Sequence, residues 1–422
     1  MASIYFLGTA TSVAQVGTVQ ITGMDGTPAN TTYILTVGSQ TVSVAGDTDE
    51  DTTAAALMAA WNASTHPYFA AVTATVATDT ITLTADTAGA PFVAVASVSG
   101  GAGTIGAYSA TTASAGPNDW STAANFSGAA VPVNDDDVTL ANTSVNICHG
   151  LAQSAVELDS LTIEKTYTGK LGLDYTAFAT SADGATTVTT AVEYRSTSLD
   201  IESPVVNIRR HNGPGTAAGS GRILIDLGTV ACEATIEDSV NSASDAGRPA
   251  IQIEANSAST NIYVESAPGG VGIGTERPTT TTTVGKVSVT APNTRTQVLI
   301  GTGTTITTFE QSGGANTLQA AATVTAATVN GGTLLTDGAY LITTLEVNAG
   351  VVTANNLPAA GAAITTLNLN GGKVDGSKSS QARTWTTVQL GTDSATLVAD
   401  DDVVTITTLN EPDGPYTLTA SK

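Results

Sequence analysis

The chain lacks basic residues over a long stretch. Its 422 residues include 14 Lys and Arg against 37 Asp and Glu, a net charge of −23, and the first basic residue is Lys165. Binding to nucleic acid or to an anionic membrane surface depends on cations that neutralise phosphate. We therefore expect neither nucleic acid nor membrane as a partner. The acidic excess is interpreted as a charge that keeps a Thr- and Ala-rich surface soluble, with divalent-cation binding as the alternative.

Residue types that carry most metal and redox chemistry are scarce. The three histidines, His66, His149 and His211, are far apart in the chain, whereas a zinc site needs several ligands at characteristic spacing. Cys148 adjoins His149 without a partner motif. The sequence allows one disulfide between Cys148 and Cys232, although both are better explained as small packed residues. No metal or cofactor site is predicted.

Export and membrane-spanning signals are also missing. The N-terminus, MASIYFLGTATSV, has neither a basic segment nor the long apolar segment of a secretory signal. No window reaches the ~18 apolar residues that a membrane-spanning helix needs. We therefore expect synthesis in the cytoplasm.

One short phrase is repeated six times in the last third of the chain. The copies are ITTFEQSGG at Ile306, VTAATVNGG at Val324, ITTLEVNAG at Ile342, ITTLNLNGG at Ile364, WTTVQLGTD at Trp385 and ITTLNEPDG at Ile406. Apolar residues recur mostly at the first, fourth and sixth places, and the phrase mostly ends in Gly. A period near twenty residues with this pattern is typical of a solenoid, whose rungs bury their apolar side only against their neighbours.

Two solenoids fit this period. ITTLEVNAG matches the first six places of a leucine-rich repeat, but the ninth place is Gly or Asp in every copy, never the Asn that bonds neighbouring loops. The remainder of each rung has no helical Leu pattern. We therefore predict a mainly β fold, a right-handed parallel β-helix with Gly at the corners and β-branched residues in ladders. The Thr residues at places two and three are interpreted as strand filler, with ice or sugar binding as the alternative.

The sequence divides into four segments. They are a small α+β docking domain (1–115), a linker and β-helix cap (116–140), irregular rungs with loops (141–305) and regular rungs (306–422). In the first segment, Ser3–Leu7 is predicted as a strand, and DTDEDTTAAALMAAWNAS is predicted as the one helix, capped by Thr48 or Asp49. The Gly-rich stretch 100–117 is predicted as a linker.

Two further features of these segments concern the ends and loops of the stack. In NDWSTAANFSGAAVPVNDDDVTL (118–140), Trp120 and Phe126 are predicted to plug the end of the stack, with a sugar-binding aromatic pair as the alternative. A protruding loop, RRHNGPGTAAGSGR (209–222), is predicted to gather four basic or titratable residues. These are Arg209, Arg210, His211 and Arg222.

Candidate catalytic and ligand-binding residues are few. Polysaccharide-cleaving β-helices align carboxylates along one groove, and the candidates here are Glu237, Asp238, Glu254 and Glu265. Sugar grooves usually carry several aromatic residues, which make up only 5% of this chain. We therefore predict no catalytic residues and no enzymatic activity.

Glycine-rich and acidic motifs give no binding site either. GGVGIGTE (269–276) lacks the Lys-Ser/Thr of a phosphate-binding loop and is interpreted as a β-helix corner. The triplets Asp135–Asp137 and Asp400–Asp402 match no calcium-binding pattern and are interpreted as solvated turns.

Two stretches resemble segments of phage proteins. From Thr32 to Phe92 the chain resembles a small domain that recurs in phage tail and virion proteins, with the ending ITLTADTAGAPF in common. Residues 118–140 resemble the W-x4-N-[WF]-S-G…V-P…D-D-V segment that opens β-helical regions in phage proteins and autotransporter passengers. The whole chain loosely resembles structural proteins of tailed phages and prophages. The resemblance implies a module that docks onto neighbouring proteins.

The expected function follows from this resemblance. We expect a virion structural protein made in the host cytoplasm, an outer capsid decoration (cement) protein that stabilises the particle. Its expected partners are further copies of itself, as a trimer, and other virion proteins such as the major capsid protein. The alternatives are a tail spike or fibre that binds host surface glycan and, third, a surface adhesin.

Overall fold

Two long parallel β-sheets run through the protein. The computed structural model describes residues 2–27, 29–173, 178–181, 188–191, 193–209, 221–238, 249–275, 281–291, 296–319, 322–337, 341–355, 362–377, 383–391, 395–400, 404–411 and 417–421. These residues confirm the predicted fold class, a mainly β chain with a parallel β-solenoid and a small α+β region.

The α-helices and β-strands are numbered in chain order. The first are β1 (Ser3–Phe6), β2 (Val16–Gly23), β3 (Thr32–Val37), β4 (Gln40–Ala45), α1 (Glu50–Ala63), α2 (Pro67–Ala70), β5 (Val72–Ala77), β6 (Thr80–Ala85), β7 (Val95–Ser99), β8 (Thr104–Ile105) and β9 (Ser109–Thr112). Next come β10 (Asp137–Leu140), β11 (Ala152–Glu157), β12 (Ser160–Ile163), β13 (Phe178–Ser181), β14 (Val188–Ala191), β15 (Leu199–Glu202), β16 (Val205–Ile208), β17 (Ile223–Asp226), β18 (Glu233–Ile236), β19 (Ile251–Glu254), β20 (Asn256–Val264), β21 (Val271–Ile273), β22 (Thr283–Val289) and β23 (Val298–Ile300). The last are β24 (Thr305–Gln311), β25 (Ala315–Leu318), β26 (Thr323–Val329), β27 (Thr333–Asp337), β28 (Leu341–Val347), β29 (Val351–Asn355), β30 (Ala362–Leu369), β31 (Lys373–Asp375), β32 (Arg383–Leu390), β33 (Thr396–Asp400), β34 (Val404–Asn410) and β35 (Thr417–Ser421).

The solenoid consists of a 13-stranded and a 12-stranded parallel sheet. The first has the order β1-β10-β12-β16-β18-β20-β22-β24-β26-β28-β30-β32-β34, and the second has the order β11-β15-β17-β19-β21-β23-β25-β27-β29-β31-β33-β35. From β16 to β35 the chain alternates between the two sheets, so each rung places one strand in each. Buried Ile, Val and Leu side chains from both sheets form one continuous core.

The six copies of the repeated phrase are stacked in register in the first sheet. The residues at the first and fourth places pair from rung to rung, and those at the sixth place pair through the first five copies. Pairing skips the second place, so Thr307 in the first copy is unpaired and exposed while Ile306 and Phe309 are buried. The chain therefore bends at the two Thr residues, which explains the three-residue step between the first two apolar places.

Glycines set the turn that ends each copy. Gly314, Gly332, Gly350 and Gly372 occupy the ninth place with φ of 80°, 73°, 83° and 70°. A Cβ on Gly350 would lie 2.5 Å from the carbonyl oxygen of Gly332 on the preceding rung. Two constraints therefore require glycine at this place: the left-handed backbone and the close approach of the neighbouring rung.

An asparagine ladder runs beside these glycines at the seventh place. Asn348 Nδ2 donates to Asn330 Oδ1 at 2.9 Å, and Asn370 Nδ2 donates to Asn348 Oδ1 at 2.9 Å. The sequence analysis sought a bonding Asn only at the ninth place and missed this ladder. It links three successive turns through exposed side chains.

The α+β region packs one helix against two antiparallel sheets. The sheets have the orders β5-β6-β2-β8, with β9 also on β2, and β4-β3-β7. Leu57 and Trp61 of α1 are fully buried in the core that the two sheets share. Of the two predicted caps, Asp49 is the one used, because its carboxylate accepts the backbone N–H of Thr52 at 2.7 Å. This hydrogen bond holds the pKa of Asp49 below its ordinary value.

Two segments lie elsewhere than the sequence predicted. Ser3–Leu7 was assigned to the α+β domain, but β1 pairs in parallel with β10 and forms the end strand of the solenoid. The 100–117 stretch was predicted as a linker, but it supplies β8 and β9. In both cases the strand partner is distant in the chain, so local composition did not reveal it.

The α+β region is consequently an insertion between β1 and β10. Its two ends meet, because Val13 and Ala115 form an antiparallel bridge in which the Val13 N–H donates to the Ala115 carbonyl at 2.7 Å. The solenoid therefore begins before the inserted region and resumes after it.

Replacing Gly350 with Ala is expected to lower the free energy of unfolding by about 2–5 kcal/mol, since it adds a left-handed backbone penalty to a clash with the rung below. Gly303→Ala is the matched control, because Gly303 has φ of 76° and no atom within 4 Å of an added Cβ. The control should lose only about 1–2 kcal/mol. Chemical denaturation measures both, and equal losses would contradict the stacked-turn explanation.

Candidate functional site

Three of the four candidate catalytic carboxylates lie at equivalent turns on neighbouring rungs of the solenoid. The Glu237 N–H donates to the Ile208 carbonyl at 2.9 Å, and the Glu265 N–H donates to the Ile236 carbonyl at 2.9 Å. Glu237 and Glu265 therefore occupy the same position on neighbouring rungs, and both are exposed. Asp238 follows directly and accepts a hydrogen bond from Ser266 Oγ at 3.2 Å.

The fourth candidate, Glu254, lies in the other sheet. It ends β19, is 3% exposed, and its carboxylate accepts hydrogen bonds from Gln252 Nε2 at 3.0 Å and Thr282 Oγ1 at 2.7 Å. These bonds give Glu254 a structural role between rungs. Glu254 is therefore separated from the other three candidates, which remain close to one another on neighbouring rungs.

The basic residues 209–222 also separate. Arg209 lies at the turn position that Glu237 occupies on the next rung. Its Nη1 is 2.7 Å from Glu164 Oε1, and its Nε is 3.8 Å from Glu237 Oε1. Arg222 is buried, and its Nε donates to the Pro249 carbonyl at 2.9 Å. Arg210 and His211 lie outside the described residues. The predicted protruding cluster is therefore wrong for Arg222, which stabilises the interior.

The α+β region and the solenoid meet at residues 193–195, here called the junction. The Tyr194 ring packs edge-on against Tyr68 with 4.8 Å between centroids. Arg195 forms a two-point ion pair with the buried Glu193, at 2.7 and 2.9 Å. Burial alone would raise the pKa of Glu193, but hydrogen bonds and charge from Arg195 outweigh it and hold that pKa below its ordinary value. The ion pair is therefore formed at neutral pH.

Two cavities flank the junction. One of about 280 Å³ is lined by residues that include Tyr68, Phe92 and Tyr194. The other, of about 270 Å³, is lined by residues that include Cys148 and His149, and both cavities border Arg195. Sequence reasoning noted Cys148 and His149 as neighbours but had no signal that Arg195 would join them, since its position depends on chain folding across the junction.

The Cys148–His149 pair is poorly suited to nucleophilic catalysis. Burial, followed by the nearby Arg195 charge, lowers the pKa of His149 from 6.5 to about 4. Among the described residues, its buried Nδ1 has no hydrogen-bond partner. A cysteine activated by a neighbouring histidine needs an imidazolium to stabilise the thiolate, and His149 stays neutral. Cys148 and Cys232 are not joined by a disulfide, and burial raises the pKa of Cys232 to about 12.

The first acidic triplet is a structural turn. Asp136 is only 7% exposed, and its carboxylate accepts the backbone N–H groups of Val133 at 2.9 Å and Ala2 at 3.3 Å. The predicted solvated turn is therefore wrong for Asp136, which ties the start of the chain to the first rung. Asp400 ends β33, and Asp401 and Asp402 lie outside the described residues. No three His, Cys, Asp or Glu side chains among the described positions are grouped to hold a metal ion.

The glycine-rich motif and the aromatic pair both belong to the solenoid. Gly270 and Gly274, with φ of 82° and 66°, flank β21 within 269–276, and Glu276 lies outside the described residues. Trp120 and Phe126 are 0% and 2% exposed. Phe126 packs edge-on against Trp120 at 5.3 Å and against Phe6 of β1 at 5.5 Å. The aromatic pair thus covers the end strand, and neither ring is available to stack on a sugar.

A further cavity lies on the solenoid surface. It has a volume of about 490 Å³ and crosses several rungs. Its lining residues are Pro249, Pro268, Gly269, Gly270, Val271, Gln297, Val298, Leu299, Ala315, Asn316, Thr317, Thr333 and Leu335. The lining contains no charged and no aromatic residue. Sequence analysis missed this cavity because its residues come from separate rungs.

Comparison of the chain with models of protein families, with curated proteins and with solved structures finds no match. In the described part of the chain, no helix has the length and apolar character needed to cross a membrane. Functional inference therefore starts from the chain's own residues and contacts.

The half-buried imidazole of His149 predicts a pH effect on stability. Between pH 6.5 and about 4 the unfolded chain binds a proton at residue 149 that the folded chain does not bind, so the free energy of unfolding should fall as the pH is lowered. His149→Gln should reduce this slope, while the remaining titrating groups contribute equally to both proteins. Denaturant unfolding at several pH values measures the slopes, and identical slopes would contradict a half-buried neutral His149.

Proposed function

We propose that the protein is a structural component of a tailed-phage virion, an outer capsid decoration protein that braces neighbouring subunits. Its role would be mechanical rather than enzymatic. The proposal combines the resemblance of residues 32–92 and 118–140 to virion proteins with the architecture of the chain. It includes assembly as a trimer on the major capsid protein of particles made in the host cytoplasm.

One observation carries this proposal: a single hydrogen-bonded stack joins β1 to β34, and a second module is inserted between its first two strands. The 13-stranded order leaves no break between rungs among the described strands. The module is held by the Val13–Ala115 bridge at its base and by Tyr194 and Arg195 at the junction. A continuous stack with a second module held at its first rungs suits a protein that spans and clamps neighbouring subunits.

The polar groups of the described residues support the same conclusion. Glu254, Asp136 and Glu193 are buried, and each has hydrogen-bond partners that hold the fold together. These hydrogen bonds stabilise the fold, because a buried polar atom left without a partner costs about 1–3 kcal/mol. The chain thus commits its buried carboxylates to packing.

The surface cavity favours the alternative of a glycan-binding tail spike. Its volume of about 490 Å³ is within the range of small-ligand sites, and Gln297 and Thr317 offer hydrogen-bonding groups. A sugar site would ordinarily include an aromatic platform, and the lining has none. We therefore rank this function second.

Location on the particle tests the proposal. Gold-labelled antibody against the chain should decorate phage heads in electron micrographs of particles from a host that carries the gene. Labelling of tail tips would favour the glycan-binding alternative, and absence of the chain from purified particles would contradict a virion role.

A second test addresses catalysis. If the role of the protein is purely structural, the purified protein should release no saccharide from host surface polysaccharide. Release by the wild-type protein that is lost in Glu237→Gln would overturn the structural role. Glu237 is the informative position because it is exposed, so the substitution should leave folding intact.

A further inference from the structure

The three-stranded sheet β4-β3-β7 has one face that is open to solvent and uncharged. Tyr33, Leu35 and Val37 of β3 are 0% exposed and face the core. The alternate residues form the open face in three rows across the strands. The rows are Ala45–Thr32–Ser99, Ser43–Ile34–Ser97 and Thr41–Thr36–Val95. None of these residues is charged.

Acidic residues of the surrounding region lie instead at turns and at the helix start. Asp25 follows β2, Asp47 precedes α1, and Asp79 and Asp86 flank β6. By contrast, the solenoid carries charges on its outward strand positions, including the Lys286–Glu310 pair at 2.7 Å. The lack of charge on this sheet is therefore a local feature in a chain of net charge −23.

The edge strand β7 is unprotected as well as uncharged. Among the described strands, β3 is its only hydrogen-bonded neighbour in the sheet, and their register is unbroken. No charged residue lies between Asp86 and Asp119, and β7 contains no proline. Val93, Val95 and Val98 are 60%, 55% and 37% exposed. Proteins usually protect such edges with charges, prolines or bulges, because an open apolar edge pairs with another strand.

We propose that β7 is a self-association edge, pairing antiparallel with β7 of a second copy of this chain around a two-fold axis near Ser97. Strand pairing would satisfy the free backbone groups of both edges and cover Val95. The contact joins copies in pairs and is separate from the trimer contact. This contact adds detail to the proposed function. It rests on that function, because assembly on a particle supplies a high local concentration of copies.

Charge identifies the partner as a second copy. Two chains of net charge −23 repel each other wherever their carboxylates meet, so close approach needs an uncharged surface. A basic partner would be attracted to an acidic surface instead, and this sheet offers it no charge. The other edge strand, β4, is less suited, because it packs against α1.

Sedimentation of the full chain over a range of concentrations tests the contact. The wild-type protein should double its sedimenting mass as concentration rises. Ser97→Lys should raise the dissociation constant about tenfold or more, because the two-fold axis brings two like charges together. The matched control is Ser43→Lys, since Ser43 and Ser97 are both exposed and both pair with Ile34. The control should pair like the wild type.

A Lys at position 97 makes the whole chain less acidic, so its general electrostatic effect would favour association. Weakened pairing therefore reports the local contact. No concentration-dependent doubling, or equal weakening by both substitutions, would overturn the proposal.

Cross-linking supplies a second measurement that does not depend on charge. Under mild oxidation Ser97→Cys should give a disulfide-linked pair on a non-reducing gel, and Ser43→Cys should not. Both variants retain the same Cys148 and Cys232 background. Equal cross-linking by the two variants would overturn the β7 contact while leaving the gold-labelling result unchanged. Conversely, labelling that places the chain off the particle would defeat the virion proposal without affecting this contact.

Discussion

The register between successive rungs is the constraint on which the rest of the structure depends. Side chains of a strand alternate between its two faces, so a shift of one residue would carry Ile342 or Leu345 from the core to solvent. The register is held where the chain turns, by left-handed glycines such as Gly350 and by the ladder from Asn330 to Asn370. Because every rung pairs with the next, an error at one turn would affect its neighbours.

The same constraint determines how the first rung is completed. A stack of parallel strands leaves an open edge, and here β1 is covered by the segment that contains Phe126, whose ring packs against Phe6 and Trp120. With β1 placed in the stack, the whole α+β region becomes an insertion. Its helix and sheets then form a separate core, which lets the module present its own surface and edges without disturbing the rungs.

Sequence patterns predicted features that depend on neighbours in the chain. The repeated phrase indicated which residues face the core, and the residues before α1 indicated a cap at Thr48 or Asp49. Features that depend on distant residues were missed or assigned wrongly. Asp136 is buried because it accepts the N–H of Ala2, and Glu254 is buried because it bonds Thr282 on the following rung. No local pattern contains those partners.

The sequence by itself determined that this chain forms a mainly β solenoid with regular C-terminal rungs, because a repeat of about twenty residues imposes the same turn and the same buried places on every copy. Only the tertiary structure decided that Ser3–Phe6 belongs to the stack, that Glu254 is separated from the other three candidate carboxylates, and that β7 remains an open edge. The physical reason is that strand pairing joins residues across the whole chain, and one strand can pair with several sequences of similar pattern. The contacts that select one partner exist only once the chain is folded.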